Sequence, residues 1–394
     1  MCLARAHALR RTGSRGQRAT VSRPGPPSSL DDSGLPARAD VVVVGAGILG
    51  AAVAHYLAQR GASVLVLEQG AQAGSGATGR SGGMVRAYDP DPSVADLALR
   101  SLATYRNPDE WARGAAPLHV VGAVTIADPG RDQELEAAAG QINSALGTAA
   151  HVVVGSGEAA GIGLAGGVAL VEPDAGWVQP SQVTEDWLHQ AVGNRARVRY
   201  GVRVLAIEEH RARPRVLTDA GTVVAGAVVA AVGAWAAHPV PGMRPGAAVR
   251  SRSIQVSIVD RLQPTQPHAT FVDLRNGTYA KPIGSEQTLI GLPHLVWDSP
   301  FDAPPDPVHE QHTLRALAAH LPWLGSTVHH RTVRASDAFD LQSAADRGPE
   351  LLSETDTRHV WSVRGGNGVG VRVAPEAGRR IADVVVADLL PGVA

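Results

Sequence analysis

The stretch from Asp40 to Glu68 leaves few choices for how this chain begins to fold. Val41-Val42-Val43-Val44 is a continuous β-branched run, the composition of a strand buried on both faces of a parallel sheet. Gly45-Ala46-Gly47-Ile48-Leu49-Gly50 follows at once. An apolar helical stretch, Ala51 to Ala58, comes next, then Gly61 as a C-cap and a second strand from Ser63 to Leu67 that ends at Glu68. This is a complete βαβ unit. In Gly45-x-Gly47-x-x-Gly50 the first glycine permits the tight turn, the second lets backbone approach a pyrophosphate, and the third allows close helix-to-strand packing. The helix N-terminus, from Ile48 onward, offers N–H groups and a positive dipole end to the anion. Glu68, 18 residues after Gly50, is suited to adenosine ribose hydroxyls. The context therefore reads as a dinucleotide site rather than a tight turn without a ligand.

At 394 residues the chain has room for two to three domains, and 44% hydrophobic with 19% charged residues is a globular composition. Residues 1–39 hold seven arginines against Asp31 and Asp32, a net of +5, which leaves −6 of the formal −1 for the rest. The body thus has no basic excess of the kind nucleic-acid binding uses. The single cysteine, Cys2, excludes a disulfide framework, a thiolate metal cluster and a catalytic cysteine in the folded part. A reducing, cytoplasmic setting fits. The longest apolar stretch, Val223 to Ala237, is short of the ~20 residues a bilayer span needs, so a soluble protein without a membrane is expected.

Residues 1–38 lack hydrophobic periodicity and carry scattered Arg, Ser, Gly and Pro, so they read as a disordered leader, either a transit-like segment or an over-long start. Beyond Glu68, strand-like runs alternate with helical ones. The helices expected are Asp91 to Tyr105, Gln133 to Ala145, Ser181 to Val192, His309 to His320 and Pro375 to Leu390. Gly277 to Gly291 reads as a β-hairpin turning at Gly284-Ser285-Glu286. The mixture argues α/β with an antiparallel element inserted in the middle.

The stretch GAQAGSGATGRSGGM, residues 70–84, favours FAD over a nicotinamide cofactor, because a backbone-rich loop here can wrap the far half of a longer dinucleotide. Four further pieces fall in order behind the fingerprint. They are Gly79-Arg80-Ser81-Gly82-Gly83-Met84-Val85-Arg86, Asp174-Ala175-Gly176-Trp177-Val178-Gln179-Pro180, Val228 to Trp235 with its Gly233-Ala234-Trp235, and Gly365-Gly366-Asn367-Gly368-Val369-Gly370-Val371-Arg372 leading into Pro375-Glu376-Ala377-Gly378. With these the chain resembles, from about 40 to 392, the FAD-dependent D-amino-acid oxidase superfamily, in particular its sarcosine oxidase and glycine oxidase branch. The resemblance implies a Rossmann-like FAD-binding domain of the glutathione-reductase type with an inserted α+β substrate domain built on an antiparallel sheet. The boundaries expected are 39–90, 150–240 and 330–394 for the FAD-binding domain, and 91–149 and 241–329 for the substrate domain. Cofactor contacts are expected from Gly45, Gly47, Ile48, Gly50, Glu68, Gln69, Arg80, Ser81, Gly82, Gly83, Met84, Val204, Gly233, Trp235, Gly366, Asn367, Gly368, Val369 and Gly370.

For an enzyme of this kind the flavin accepts the hydride, and the protein must hold and orient an amine or amino-acid substrate. A guanidinium binds a carboxylate through two charge-assisted bonds. The resemblance places two arginines in that role: Arg86, and Arg372, where relatives often have Lys and which otherwise faces solvent. Tyr279 matches the tyrosine of a Tyr-x-x-Pro strand over the substrate. Period-two alternation sets Lys281, the chain's one lysine, on the same face as Tyr279, either beside the flavin, where it would favour reaction with O2, or toward solvent. His294 lies one position out of register with a family active-site histidine. Two departures stand out. The O2-associated lysine of sarcosine oxidases falls at Leu289, and the cysteine that tethers their FAD falls near Phe339, so noncovalent FAD is expected.

The expected activity is oxidation of the C–N bond of an amino acid, N-alkyl amino acid or cyclic amine to the imine, with O2 as acceptor. An amine dehydrogenase, or a flavin-binding subunit passing electrons elsewhere, is the alternative. An aromatic hydroxylase sharing the fold would carry a Gly-Asp-Ala sequence near the C-terminus, which is missing. The histidines lack metal-ligand spacing, and no Ser-His-Asp arrangement stands out in the sequence.

Overall fold

The computed structural model describes residues 34–389 apart from 156, 210–212, 238–239, 243–248, 263–266, 342–348, 354–358 and 365, with the side chains of 350–353 also left aside. The first sheet runs in the order β11 (Arg197–Tyr200), β2 (Val64–Glu68), β1 (Arg38–Val44), β14 (Gly221–Ala230), β13 (Arg215–Thr218), β12 (Val204–Glu208). From β11 to β14 these strands are parallel, and β14 also pairs in parallel with β21 (Val360–Arg364), which carries β20 (Glu350–Ser353). The β-branched run of β1 is central and buried on both faces, as its composition requires.

Helix α1 (Ile48–Gln59) is buried on nearly every side, which its Ala51, Ala52 and Ala54 make possible. It packs against α5 (Pro180–Gly193) and α7 (Gly370–Leu389). At Gly378 of α7 an added Cβ would stand 2.5 Å from the Ala52 Cβ, so the two helices touch at a glycine and an alanine. Helix α3 (Pro92–Arg106), N-capped by Asp91, covers the other side of α7 through Val94, Leu97, Ala98, Val373 and Ala377.

The second sheet runs β19 (Val328–Asp340), β15 (Val249–Asp260), β18 (Gln287–Gly291), β17 (Tyr279–Ile283), β16 (Thr270–Asp273), β5 (Ala123–Ala127), β9 (Val168–Glu172), β6 (His151–Val154). Its pairings are antiparallel except β16 with β5. One face holds Val124, Ile126, Phe271, Ala280 and Ile290 in a core completed by Leu317 and Leu321, at and beyond the end of α6 (Pro307–Leu317). The opposite face looks toward the first sheet's helices. A small sheet of β3 (Met84–Val85), β10 (Gly176–Trp177) and β4 (His119–Val120) lies between, and β7 (Glu158–Ala159) with β8 (Ile162–Gly163) forms a separate hairpin. Two more helices, α2 (Ala77–Arg80) and α4 (Asp132–Leu146), complete the chain order.

The expected architecture is present, with three shifts of boundary. Strands β6 and β9 belong to the second sheet, not to the dinucleotide half where 150–172 was expected, because their partner is β5. Residues 330–340 lie in β19, paired along β15 in the second sheet. Order also reaches further upstream than residue 39, since Leu35 is buried beneath the first sheet and β1 begins at Arg38. Residues 1–33 lie outside the described residues.

The last helix starts at Gly370, five residues before the expected Pro375. A proline there has no N–H for the carbonyl of Val371, the acceptor one turn back. The Tyr105 hydroxyl, fully buried, donates to that carbonyl at 2.6 Å and so replaces the missing helix bond. Replacing Tyr105 with Phe removes the donor and nothing else of size. The expected cost is about 1–3 kcal/mol, the desolvation penalty of an unsatisfied carbonyl, read as a lower urea midpoint at unchanged slope.

Candidate active site

The turn between β1 and α1 has the geometry its glycines imply. Gly45 sits at φ +102, where an added Cβ would lie 2.6 Å from the Ala231 carbonyl oxygen. At Gly50 an added Cβ would stand 2.1 Å from the Gly45 carbonyl oxygen. Gly47 has only the Thr78 hydroxyl near, at 3.4 Å, which leaves its backbone open to a ligand. Gly45 and Gly47 border a cavity of about 520 Å³ that runs along the carboxyl ends of the parallel strands.

Gly45, Gly47, Ile48, Glu68, Gln69 and Ser81 line one end of that cavity, and Val204, Gly233 and Trp235 line its outer wall. Gly366, Gly368 and Gly370 close it where α7 begins. Two helix N-termini, α1 and α7, therefore meet one cavity. The Glu68 carboxylate accepts from the Ala46 N–H at 2.8 Å and the Gly70 N–H at 2.7 Å, which fixes it at the rim with lone pairs to spare. The donor set, the cradle and the length of the cavity fit FAD.

Other residues expected at the cofactor also have partners within the protein. Gly50 supports the turn from behind. Arg80 donates to the Ser75 carbonyl at 2.8 Å and lies over the Phe301 ring at 4.2 Å. Gly83, at φ +66, has room only for hydrogen against the Val178 carbonyl oxygen, and Met84 pairs with Trp177. An added Cβ at Gly82 would lie 3.9 Å from a Leu289 methyl. The Asn367 side chain accepts from the Asp340 N–H at 2.9 Å, and Val369 closes the turn onto the Gly366 carbonyl at 2.7 Å. Sequence reasoning missed Thr78, whose hydroxyl accepts from the Ile48 N–H at 3.0 Å and caps α1, and Asp337, which lines the cavity from β19.

The remaining candidates gather on the second sheet's face toward α7. Residues directly opposite in an antiparallel pair share a face, and every second residue returns to it. Tyr279 pairs with Gly291, which pairs in turn with Val256 of β15, and Lys281 pairs with Leu289. Gly291 is required here, because an added Cβ would stand 2.1 Å from the Tyr279 Cζ, so the phenol lies flat across β18. Burial pushes that phenol up to about 12. Lys281 is buried, with its ammonium 4.0 Å from the centre of the Trp177 ring and His119 stacked against that indole. It makes no hydrogen bond or ion pair among the described residues, and burial brings it down to about 8. Lys281 thus stands across the ladder from the position where the lysine was expected and Leu289 is found. The solvent-facing reading of this lysine is excluded by its 4% exposure.

Arg86 follows β3, against β5 and β16. Its Nε is shielded from solvent without a partner, and the guanidinium makes no hydrogen bond or ion pair among the described residues. Burial, then the neighbouring Arg372 charge, lowers it to about 9, which still leaves it cationic at neutral pH. The segment that carries it is pinned by Glu172, whose carboxylate accepts from the Ala87 and Tyr88 N–H groups at 2.7 and 3.1 Å. Burial raises the Glu172 carboxyl, against those two bonds. Arg372 does not face solvent. It is buried, paired with Asp89, and donates to the Tyr88 carbonyl at 3.2 Å.

His294 is not brought to this face. Its Nδ1 is 2.9 Å from the Ser253 hydroxyl, which points to the α6 side, and its ring lies tilted against that of His309, with 4.3 Å between centroids. Arg334 donates to the Ser253 hydroxyl at 2.9 Å, and the Nε2 of His294 is 3.5 Å from Asp306. The result is a Ser-His-Asp series that the sequence did not reveal, but Ser253 is wholly buried and already serves Arg334, so the series is structural. Burial keeps both imidazoles below the usual histidine range.

Comparison with known proteins agrees with this geometry. Residues 40–384 match the family described as DAO, FAD dependent oxidoreductase. The chain belongs to that family. It is 29% identical over 204 residues to monomeric sarcosine oxidase of Streptomyces avermitilis, a match over 50% of this chain and 52% of the relative, so about half the length of that relative is spanned. In fold it is similar to glycine oxidase from Geobacillus kaustophilus, with TM-score 0.71, 23% identity and coverage of 89% of this chain and 95% of that one. It is similar again to L-proline dehydrogenase from P. horikoshii, with TM-score 0.75, 18% identity and coverage of 89% and 94%. FAD is the cofactor of this family, and the cavity residues are those that would hold it.

Gly50→Ala is expected to yield protein without bound flavin, because the added methyl cannot coexist with the Gly45 carbonyl. Gly140→Ala in α4, where a methyl meets nothing within 4 Å, should keep full flavin content. The flavin-to-protein absorbance ratio after purification reads both.

Proposed function

We propose that this flavoenzyme oxidises the C–N bond of an amine that carries a carboxylate, an amino acid, N-alkyl amino acid or cyclic imino acid, to the imine. The observation that supports this is Arg86, which lies against β5 and β16, with an Nε shielded from solvent without a partner and a guanidinium that makes no ion pair among the described residues. A guanidinium is costly to hold there unpaired, and a substrate carboxylate supplies two charge-assisted bonds. Arg372, tied to Asp89, keeps Arg86 company as a second positive charge rather than as a second ligand.

Bound FAD would supply the two-electron acceptor. Arg86 then fixes the carboxylate, and the Tyr279 phenol, flat across Gly291, walls the substrate and presents its hydroxyl. The amine gives up a hydride and a proton and leaves as the imine. Lys281 places the chain's one ammonium beside the site. With O2 as acceptor, that charge stabilises the superoxide formed on electron transfer, and hydrogen peroxide is the product after two electrons and two protons. Noncovalent retention of FAD belongs to the same reading, because Phe339 stands near the tethering position.

Anaerobic titration with amino acids and secondary amino acids tests the reading. An amino or imino acid should bleach the flavin, and Arg86→Met should lower kcat/KM roughly a hundredfold or more, on the ~3 kcal/mol scale of a lost buried charge contact. Failure of every carboxylate-bearing amine to bleach the flavin overturns it.

The acceptor has its own test. Because Lys281 titrates near pH 8, reoxidation of the photoreduced enzyme by O2 should slow as pH rises through that value and the ammonium is lost. Lys281→Met should be slow at all pH values while its rate of reduction by substrate is kept. Equal reoxidation rates in the two proteins would move the assignment to the dehydrogenase reading, which Leu289 at the usual lysine position favours.

A further inference from the structure

We propose that the substrate carries a second carboxylate, several bonds from the first, and that Arg252 on β15 receives it. The inference rests on the reading of Arg86 as the site of the first. Arg252 pairs across the ladder with Asp337 of β19 and shares its face with Tyr279 and Lys281, since Arg252 and Val256 are an even number of residues apart on one strand and Val256 pairs with Gly291. Although Asp337 stands directly opposite, the two make no ion pair among the described residues. The Asp337 carboxylate accepts from the Ala338 N–H at 2.8 Å instead.

The Arg252 guanidinium lies over the Phe339 ring at 3.6 Å, with Trp297 5.6 Å away. Stacking of this kind uses the flat face of the group and fixes its plane, while the N–H edge still needs acceptors. Here the edge has none. The Arg252 Nε is excluded from solvent without a partner, and no hydrogen bond from this side chain is made to a described residue. Arg86 and Arg252 are thus two cations of the same kind, near carboxylates they do not hydrogen-bond, Asp89 and Glu172 for the first and Asp337 for the second, and each with an Nε left without an acceptor.

Their separation sets the substrate class. Arg86 lies against β5 and β16, and Arg252 stands on β15, three strands beyond β16 across β17 and β18. Three spacings are ~14 Å along the sheet, and neither guanidinium is among the charges that act on the other, so the two stand as separate anion sites. Between them the Tyr279 phenol lies across β18, over the span a connecting chain would cross. The site is shaped for an amine whose two carboxylates end a linker of several bonds, not for a small monocarboxylic amino acid.

Calorimetric binding of non-oxidisable acids to the FAD-loaded protein tests this without turnover. The probes are glutarate, adipate and pimelate against butyrate and hexanoate. At least one dicarboxylate should bind roughly tenfold or more tighter than the monocarboxylates, about one extra charge-assisted contact. Arg252→Met should erase that margin and leave monocarboxylate binding unchanged, and Arg252→Lys should restore part of it. Arg86→Met should weaken both classes. Equal binding of the two classes to the wild-type protein overturns the proposal, as does an equal loss of both in Arg252→Met at unchanged flavin content and melting temperature. If Arg252→Met removes the margin but Arg86→Met changes nothing, the second site stands and the reading of Arg86 falls.

Discussion

Helix α1 can lie against β1 only because nothing but hydrogen separates Gly50 from the Gly45 carbonyl, and α7 can lie against α1 only because Gly378 meets Ala52. That chain of close contacts brings the N-termini of two helices to one cavity. Their N–H groups and dipoles give it the positive potential that a dinucleotide needs. Side chains of ordinary size at any of these positions would push the helices outward and open the floor of the site. The cofactor half is therefore built from the smallest residues where the helices meet, and its specificity comes from backbone.

The substrate half works by the opposite logic. Its sheet is a plate whose alternation sorts residues to two faces with no further instruction. One face is aliphatic and is closed by the region of α6, while the other presents Tyr279, Lys281, Arg252 and Asp337 toward the cofactor half. Of the charged groups on that second face Lys281 is buried, and Arg252 and Asp337 are half-buried. Lys281 rests on an indole and Arg252 on a phenyl ring, contacts that hold a cation in place without cancelling its charge.

Much of this was legible before the fold was known. Valine runs, glycine spacing and Glu68 specify a βαβ unit through strictly local rules, and the structure keeps each of them. The hairpin at Tyr279 and the same-face placing of Lys281 follow from period two. Less was legible where contacts are remote. Strands β6 and β9 look like any short β-branched run, and only pairing with β5 decides which sheet they join. His294 sits one position from a plausible register, yet the hydroxyl of Ser253, 41 residues away in sequence, takes it to the wrong face. Pro375 reads as a helix start because a proline is welcome there. It is tolerated deep in the helix because Tyr105, from another helix, replaces the bond it removes.

The sequence by itself determined that a parallel βαβ unit with a phosphate-binding turn would form, since those signals lie within thirty residues or so and depend on backbone freedom and periodicity alone. It also determined that only one lysine could ever stand in the site. The tertiary structure decided which cations are spent and which are free. Arg372 and Arg86 look alike in sequence, but Asp89 pairs with the first, while the second makes no ion pair among the described residues. Arg252 had no local signal at all, because its meaning lies in a ladder partner 85 positions later and in a phenyl ring that fixes its plane without satisfying it. Pairing between distant strands is what turns a residue type into a site, and no local rule contains it.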